Sequence, residues 1–254
     1  MAARDVHGPQ APHGEFQVVG KPHRKIDGHA KATGSAVYAD DIQLPGMLHA
    51  KTLRSPHAHA RIVSIDTQRA RDLPGVHAVI TGADLPTRYG VIPWTPDETA
   101  LAVDKVRFIG DEVAVVAAID EDTASRALAL IDVEYEVLHA YLDPEEALQR
   151  NEPTIHESKK GNNVSKHVQL EFGEVDRAFE GAEVVLEGDY SFHGSTHAAI
   201  EPHCAVARVD ADGLLTLWSS TQITHYVHRA LAHVLDLEAH RIRVIQPALG
   251  GAFG

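Results

Sequence analysis

The chain predicts an α+β protein built as two units. Strand-like and helix-like segments alternate from Leu48 to Val137, and the run Glu112–Ala118 is apolar enough for a strand covered on both faces. A stretch rich in Pro, Gly and Asn, Asn151 to Lys166, then interrupts regular structure before a second set of strands and one longer helix. At 254 residues the chain has room for two ordinary domains.

In the first unit, which starts near Val18, Leu48–Arg54 and Ala60–Ile65 read as strands joined by Ser55-Pro56-His57-Ala58-His59, where proline breaks pairing. Asp66 offers an N-cap for a helix over Thr67–Leu73, and Pro74-Gly75 ends it. Val76–Thr81 reads as a buried strand, followed by a compact turn at Gly82–Pro86. After Glu112–Ala118, either Asp120 or Asp122 caps a helix whose Ala124, Ala127, Leu128 and Ile131 share one face. Asp132–Val137 alternates with period two, the mark of a strand with one wet face. Pro144–Gln149 forms a helical turn.

The second unit opens with a short helix at Val175–Phe179 and a strand at Val184–Phe192. Strands follow at Cys204–Val209 and Leu214–Ser219, joined by the hairpin turn Asp210-Ala211-Asp212-Gly213. Thr224 is suited to cap a helix over His225–Leu235, with Val227, Leu231, Val234 and Leu235 on one face. A strand over Arg241–Gln246 leads into Leu249-Gly250-Gly251-Ala252-Phe253-Gly254, where glycine permits close backbone approach to an anionic ligand.

A net charge of -13 disfavours nucleic acid and anionic membranes as partners. Cys204 is the single cysteine, so no intrachain disulfide, four-cysteine zinc site or self-contained iron–sulfur cluster can form. Met1–Glu15 is polar and lacks a signal-peptide core, and no run of transmembrane length occurs, so a frayed, cytoplasmic N-terminus is expected.

The 18 histidines include the pairs His57/His59, His197/His203 and His225/His228, but no acidic residue or cysteine completes a metal-ligand set at recognisable spacing. Glu201-Pro202-His203-Cys204 suggests a nucleophile and a base. Strand geometry sends adjacent side chains to opposite faces, however, and catalytic Cys–His pairs come from distant segments. Gln222, at a strand end just before a helix, carries both a donor and an acceptor. From that segment alone, a helix-entry hydrogen bond is the simpler role. The terminal glycines lack the G-x-G-x-x-G spacing of a dinucleotide fingerprint, and no Walker G-K-[ST] is present.

Several ordered motifs together resemble the large subunit of the molybdenum hydroxylase (xanthine dehydrogenase/aldehyde oxidase) family. They are Gly28–Gly34 with Tyr38, Leu44–Leu48, Arg54–Ala60, Leu73–Val76, Gly110–Ala114, Val133–Glu136, Ser220–Gln222 and Gly250–Gly254. The resemblance runs from Val19 onward. It implies a flexible start over 1–18, an α/β hammerhead domain over 19–142, a linker over 143–163, and the N-terminal part of a molybdopterin-binding domain over 164–254. Within the family, Tyr89–Pro93, Asp104–Arg107 and Thr221–His228 are most similar to the α subunit of 4-hydroxybenzoyl-CoA reductases.

By that resemblance, Gln222 matches the glutamine beside the molybdenum's oxo ligand, and Phe253 and Gly254 match residues whose backbone lies against the cofactor. Gly250, Gly251 and Ala252 form the approach. Ala252 departs from the family's triple glycine and adds a methyl where close packing is expected. The implied activity is molybdenum-dependent oxidoreduction of an aromatic, heterocyclic or aldehyde substrate, by hydroxylation or by reductive removal of a hydroxyl.

The family's general-base glutamate has no counterpart in these residues, so no catalytic residue is nominated and the chain alone is expected to be inactive. The implied partners are the remainder of the molybdopterin-binding subunit, an iron–sulfur subunit and an FAD subunit, with the sequence expected to be a split subunit or a truncated piece of a longer one. The rival reading is a noncatalytic docking subunit that retains the hammerhead.

Overall fold

The structure, a computed structural model, describes residues 16, 18–90, 96–150, 152–157 and 162–254. Most of the expected frayed start and residues 91–93 of the Tyr89–Pro93 motif lie outside them. The first unit runs α1 (Gly28–Thr33), β1 (His49–Arg54), β2 (Ala60–Asp66), α2 (Gln68–Arg71), β3 (Val76–Thr81), β4 (Lys105–Val106), β5 (Glu112–Ala118), α3 (Glu121–Leu128), β6 (Asp132–Val137) and α4 (Pro144–Gln149). It holds two three-stranded antiparallel sheets, ordered β1-β5-β3 and β4-β2-β6.

β5 belongs to both cores. Strand alternation sends Ala114, Val116 and Ala118 to one face, where they pack with Ala70 of α2, Val79 of β3, and Ala124 and Ala127 of α3. Val113 points the other way and joins Ala60, Ala102 and Val106. Small side chains let α3 sit close to the sheet, and each fully buried valine contributes roughly 1.5–3 kcal/mol. α3 starts where it does because the Asp120 carboxylate accepts the Thr123 N–H at 2.7 Å, leaving Asp122 inside the first turn.

Several expectations shift. α2 spans a single turn, Gln68–Arg71, although the Asp66 carboxylate accepts the Gln68 N–H at its start as anticipated. β3 was expected to be buried, yet only its Val79 is, because the strand lies at the edge of its sheet. α1, β4 and the 3₁₀ turn at Ala39–Asp41 carry no periodic pattern and escape sequence reading.

The segment after α4 is held to the first unit by a charged clamp. Lys105 donates to the Thr154 carbonyl at 2.8 Å and to the Glu157 carboxylate, while Arg107 donates to Glu157 at 2.7 Å and to the Ile155 carbonyl at 3.1 Å. Burial alone would push the Glu157 carboxyl up, but hydrogen bonds and charge from Lys105 and Arg107 outweigh it and bring the group down to about 2.

The second unit runs α5 (Val175–Glu180), β7 (Ala205–Val209), β8 (Leu215–Ser219), α6 (Thr224–Val234) and β9 (Ile242–Ile245), with sheet order β7-β8-β9. Gly213, at φ 82°, turns the β7–β8 hairpin and donates to the Asp210 carbonyl at 2.8 Å. Thr224 is the first residue of α6 and makes no capping hydrogen bond. The expected strand at Val184–Phe192 does not form. The segment is extended, has no ladder partner among the described residues, and leaves Val184, Leu186, Tyr190 and Phe192 exposed. Its pattern reads as a strand, but pairing requires a neighbour.

Two outcomes follow from this packing. A Cβ on Gly82 would come within 2.8 Å of the Val103 Cα, so Gly82→Ala is expected to cost about 1–3 kcal/mol in guanidinium unfolding. Glu157→Ala is expected to lower stability at pH 7 by about 2 kcal/mol, discounted because the carboxylate is 47% exposed. Because the folded carboxyl is depressed, its contribution is present above the unfolded value near 4.5 and disappears as pH falls towards about 2. The gap between the two proteins should therefore close across that window in pH-dependent melting curves.

Candidate functional site

Three segments singled out from sequence meet at one edge of the β7-β8-β9 sheet. β8 is antiparallel to β7, with Ser219 opposite Ala205, so the end of β8 lies beside the start of β7. β8 is also parallel to β9, with Trp218 opposite Ile245, so the ends of β8 and β9 point the same way. Glu201-Pro202-His203-Cys204 enters this edge, Ser220-Thr221-Gln222 leaves it, and Gln246–Gly254 leaves it beside them. The pairing extends one step further, because the Ser220 N–H donates to the Cys204 carbonyl at 3.0 Å and the Cys204 N–H to the Ser220 Oγ at 2.9 Å. The carboxyl ends of neighbouring parallel strands are where ligands characteristically bind in α/β sheets.

The glycine turn packs against residues just upstream of β7. The Gly250 N–H donates to the Glu201 carboxylate at 2.5 Å, and a Cβ on Gly250 would meet the Glu201 Cβ at 2.5 Å. A Cβ on Gly251 would meet that of Ala199 at 2.8 Å. The Phe253 ring stacks on His197 with centroids 5.6 Å apart and planes 14° from parallel. Gly254, at φ 98°, has open space where a side chain would project. Positive φ outside glycine occurs only at Ala198 and Asp236 among the described residues, so Ala252 takes an ordinary backbone conformation and its methyl faces outward. The departure from triple glycine is absorbed without strain.

Gln222 is exposed, and its amide makes no hydrogen bond among the described residues. The helix-entry bond belongs instead to Thr221, whose hydroxyl accepts the Ile223 N–H at 3.2 Å. The Gln222 donor and acceptor are therefore both available to a ligand. The sequence brings Glu201 forward only beside His203 and Cys204, and not as a partner of the glycine turn. Glu201 spans 49 positions to reach Gly250, and no local spacing announces that.

Of the other candidates, Cys204, His57, His59 and His228 have structural employment, while His203 and His225 are exposed. The Cys204 thiol is pushed up by burial and by the nearby Asp40 carboxylate, to which it donates at 3.7 Å, and so stays protonated. His59 is buried with Nδ1 on the His139 carbonyl at 2.7 Å, His57 packs edge-on to Tyr135, and the His228 imidazole bonds the Ala239 carbonyl at 2.9 Å. No group of three or more potential metal ligands occurs among the described residues. Among them, too, no helix is long and apolar enough to cross a membrane.

Residues 33–139 match the model for the "aldehyde oxidase and xanthine dehydrogenase, a/b hammerhead domain", and residues 155–254 match the "molybdopterin cofactor-binding domain". The nicotinate dehydrogenase large molybdopterin subunit of Eubacterium barkeri is 41% identical over 242 residues, covering 94% of this chain and 56% of that protein. A probable xanthine dehydrogenase subunit of Bacillus subtilis is 37% identical over 93% of this chain and 32% of its own length. The aldehyde oxidoreductase structure from Desulfovibrio gigas superposes with a TM-score of 0.80 at 29% identity, covering 90% of this chain and 26% of that one. The chain thus spans about half or less of the relatives it matches. With a hammerhead unit followed by molybdopterin-domain sequence in the order those relatives share, the chain belongs to the molybdenum hydroxylase family and carries an N-terminal portion of its large subunit.

Proposed function

We propose that the chain forms the first wall of the molybdopterin site in a molybdenum oxidoreductase acting on a heterocyclic, aromatic or aldehyde substrate. Gln222, Gly250, Gly251, Ala252, Phe253 and Gly254 are the residues assigned to the cofactor. The carrying observation is the shared sheet edge: an unpaired amide at Gln222 leaves it beside a glycine turn whose first two residues cannot carry a Cβ. Gly250 and Gly251 use their missing side chains to seat against Glu201 and Ala199, and beyond them Gly254 has open space where its bare backbone lets a large, anionic, hydrogen-bonding group approach N–H donors. When bound, the molybdenum–pterin group supplies the two-electron redox chemistry. The chain's own part is orientation, with Gln222 offering one donor and one acceptor and the turn offering backbone amides.

The assigned organisation is a hammerhead unit over 19–142, a linker over 143–163 and cofactor-domain sequence over 164–254. The remainder of the subunit, with the general base, packs where apolar side chains of 168–192 are exposed, Phe172, Leu186 and Phe192 among them. Iron–sulfur and FAD centres are assigned to further chains; within these residues the single Cys204 cannot ligate a cluster. Within the family, Thr221–His228 supports a 4-hydroxybenzoyl-CoA reductase-like second reading, because the motif brackets Gln222 and the first turn of α6. Lys105 and Arg107 carry no weight for it, being engaged with Glu157.

In the purified assembly, Gly251→Val is expected to lower molybdenum and pterin per chain by about fivefold or more, because the side chain collides with Ala199. Elemental analysis measures it, and an unchanged content sinks the cofactor assignment. Gln222→Ala should keep the molybdenum but lose about 10–100-fold in kcat, the scale of one hydrogen-bonding partner beside a metal centre. An assembly that forms normally yet never holds molybdenum makes the chain a docking subunit instead.

A further inference from the structure

We infer that Glu201 is the positioning residue of the glycine turn, and that 197–201 is a strap that engages the Gly250 N–H and so sets the direction in which the amides after Gly250 face the cofactor. The inference rests on the proposed cofactor site and deepens it. The strap grips the turn at three successive points. His197 stacks on Phe253, Ala199 lies where a Gly251 side chain would be, and Glu201 accepts the Gly250 N–H while occupying the space a Gly250 side chain would need. Alternate strap residues thus meet the turn.

Two features mark the strap as shaped for a site. Ala198 holds φ at 48°, a left-handed conformation that alanine adopts only at a cost. The second Glu201 oxygen, Oε1, is buried and receives no hydrogen bond among the described residues. A buried carboxylate oxygen without a donor opposes folding, so stability alone does not account for a carboxylate at this position. The carboxylate also fixes an orientation. With its N–H engaged by Glu201, the Gly250 peptide plane cannot rotate freely, and the amides that follow inherit that constraint. The turn is then preorganised before any ligand arrives.

The test compares Glu201→Ala, Glu201→Gln and His197→Ala in the purified full assembly, with two readouts. Hydrogen exchange of the 246–254 peptide reports the strap without reference to cofactor. Glu201→Ala should speed its exchange about tenfold or more while β5 exchange stays unchanged, and Glu201→Gln, which keeps a carbonyl acceptor, should stay within about threefold of wild type. His197→Ala should loosen the Phe253 end and spare Gly250. Molybdenum and pterin per chain should fall about fivefold or more in Glu201→Ala and be restored in Glu201→Gln.

Unchanged exchange in Glu201→Ala, or equal loss in the Ala and Gln variants, overturns the positioning role. Faster exchange in Glu201→Ala with wild-type molybdenum loading overturns the link to cofactor. A wild-type assembly devoid of molybdenum, with the exchange differences intact, refutes the proposed cofactor site and leaves Glu201 as the determinant of the turn's conformation.

Discussion

Parallel pairing of β8 with β9 cannot be closed by a tight turn, and the candidate site follows from that constraint. A crossover element is required, and α6 supplies it, packing against β9. Once the crossover is made, both strands end at the same edge, so Gln222 and the glycine turn leave the sheet side by side although 28 positions separate Gln222 from Gly250. The β7–β8 hairpin then brings the start of β7 to that edge, and with it Glu201. A single strand order therefore assembles a free amide, a carboxylate and a run of bare backbone.

The first unit meets the same edge from another side. The Ala248 N–H donates to the Val37 carbonyl at 3.0 Å, and Cys204 donates to Asp40. The backbone just ahead of the glycine turn is thus tied to the segment before β1 as well as to the strap. The hammerhead fold has its own support in β5, whose two faces serve two cores, and in the Lys105–Glu157–Arg107 clamp that pins the segment leading out of it. The clamp places one carboxylate between two cations, which orients the chain geometrically; hydrophobic burial does not do so there.

The unpaired stretch before the strap separates what is locally encoded from what is not. Val184–Phe192 carries the side chains of a strand, yet no ladder forms, because its hydrogen-bonding partners and apolar cover are not among the described residues. The relatives carry further sequence, this chain covering 56%, 32% and 26% of them.

Period and punctuation were enough, from the amino-acid order alone, to determine β1, β2, β5, α3, β6, the β7–β8 hairpin, α6 and β9, since alternation, helical spacing, Asp caps and glycine turns are local properties. The motifs at Gln222 and Gly250–Gly254, taken together with those of the first unit, were also legible as a family signature. Only the tertiary structure decided that Ala252 needs no glycine conformation, that Cys204, His57, His59 and His228 are engaged within the fold, that β3 is an edge strand, and that Glu201 grips Gly250. Each of these depends on which distant segment lies within hydrogen-bonding or van der Waals reach, and that is set by strand order, a property that no spacing along the chain expresses.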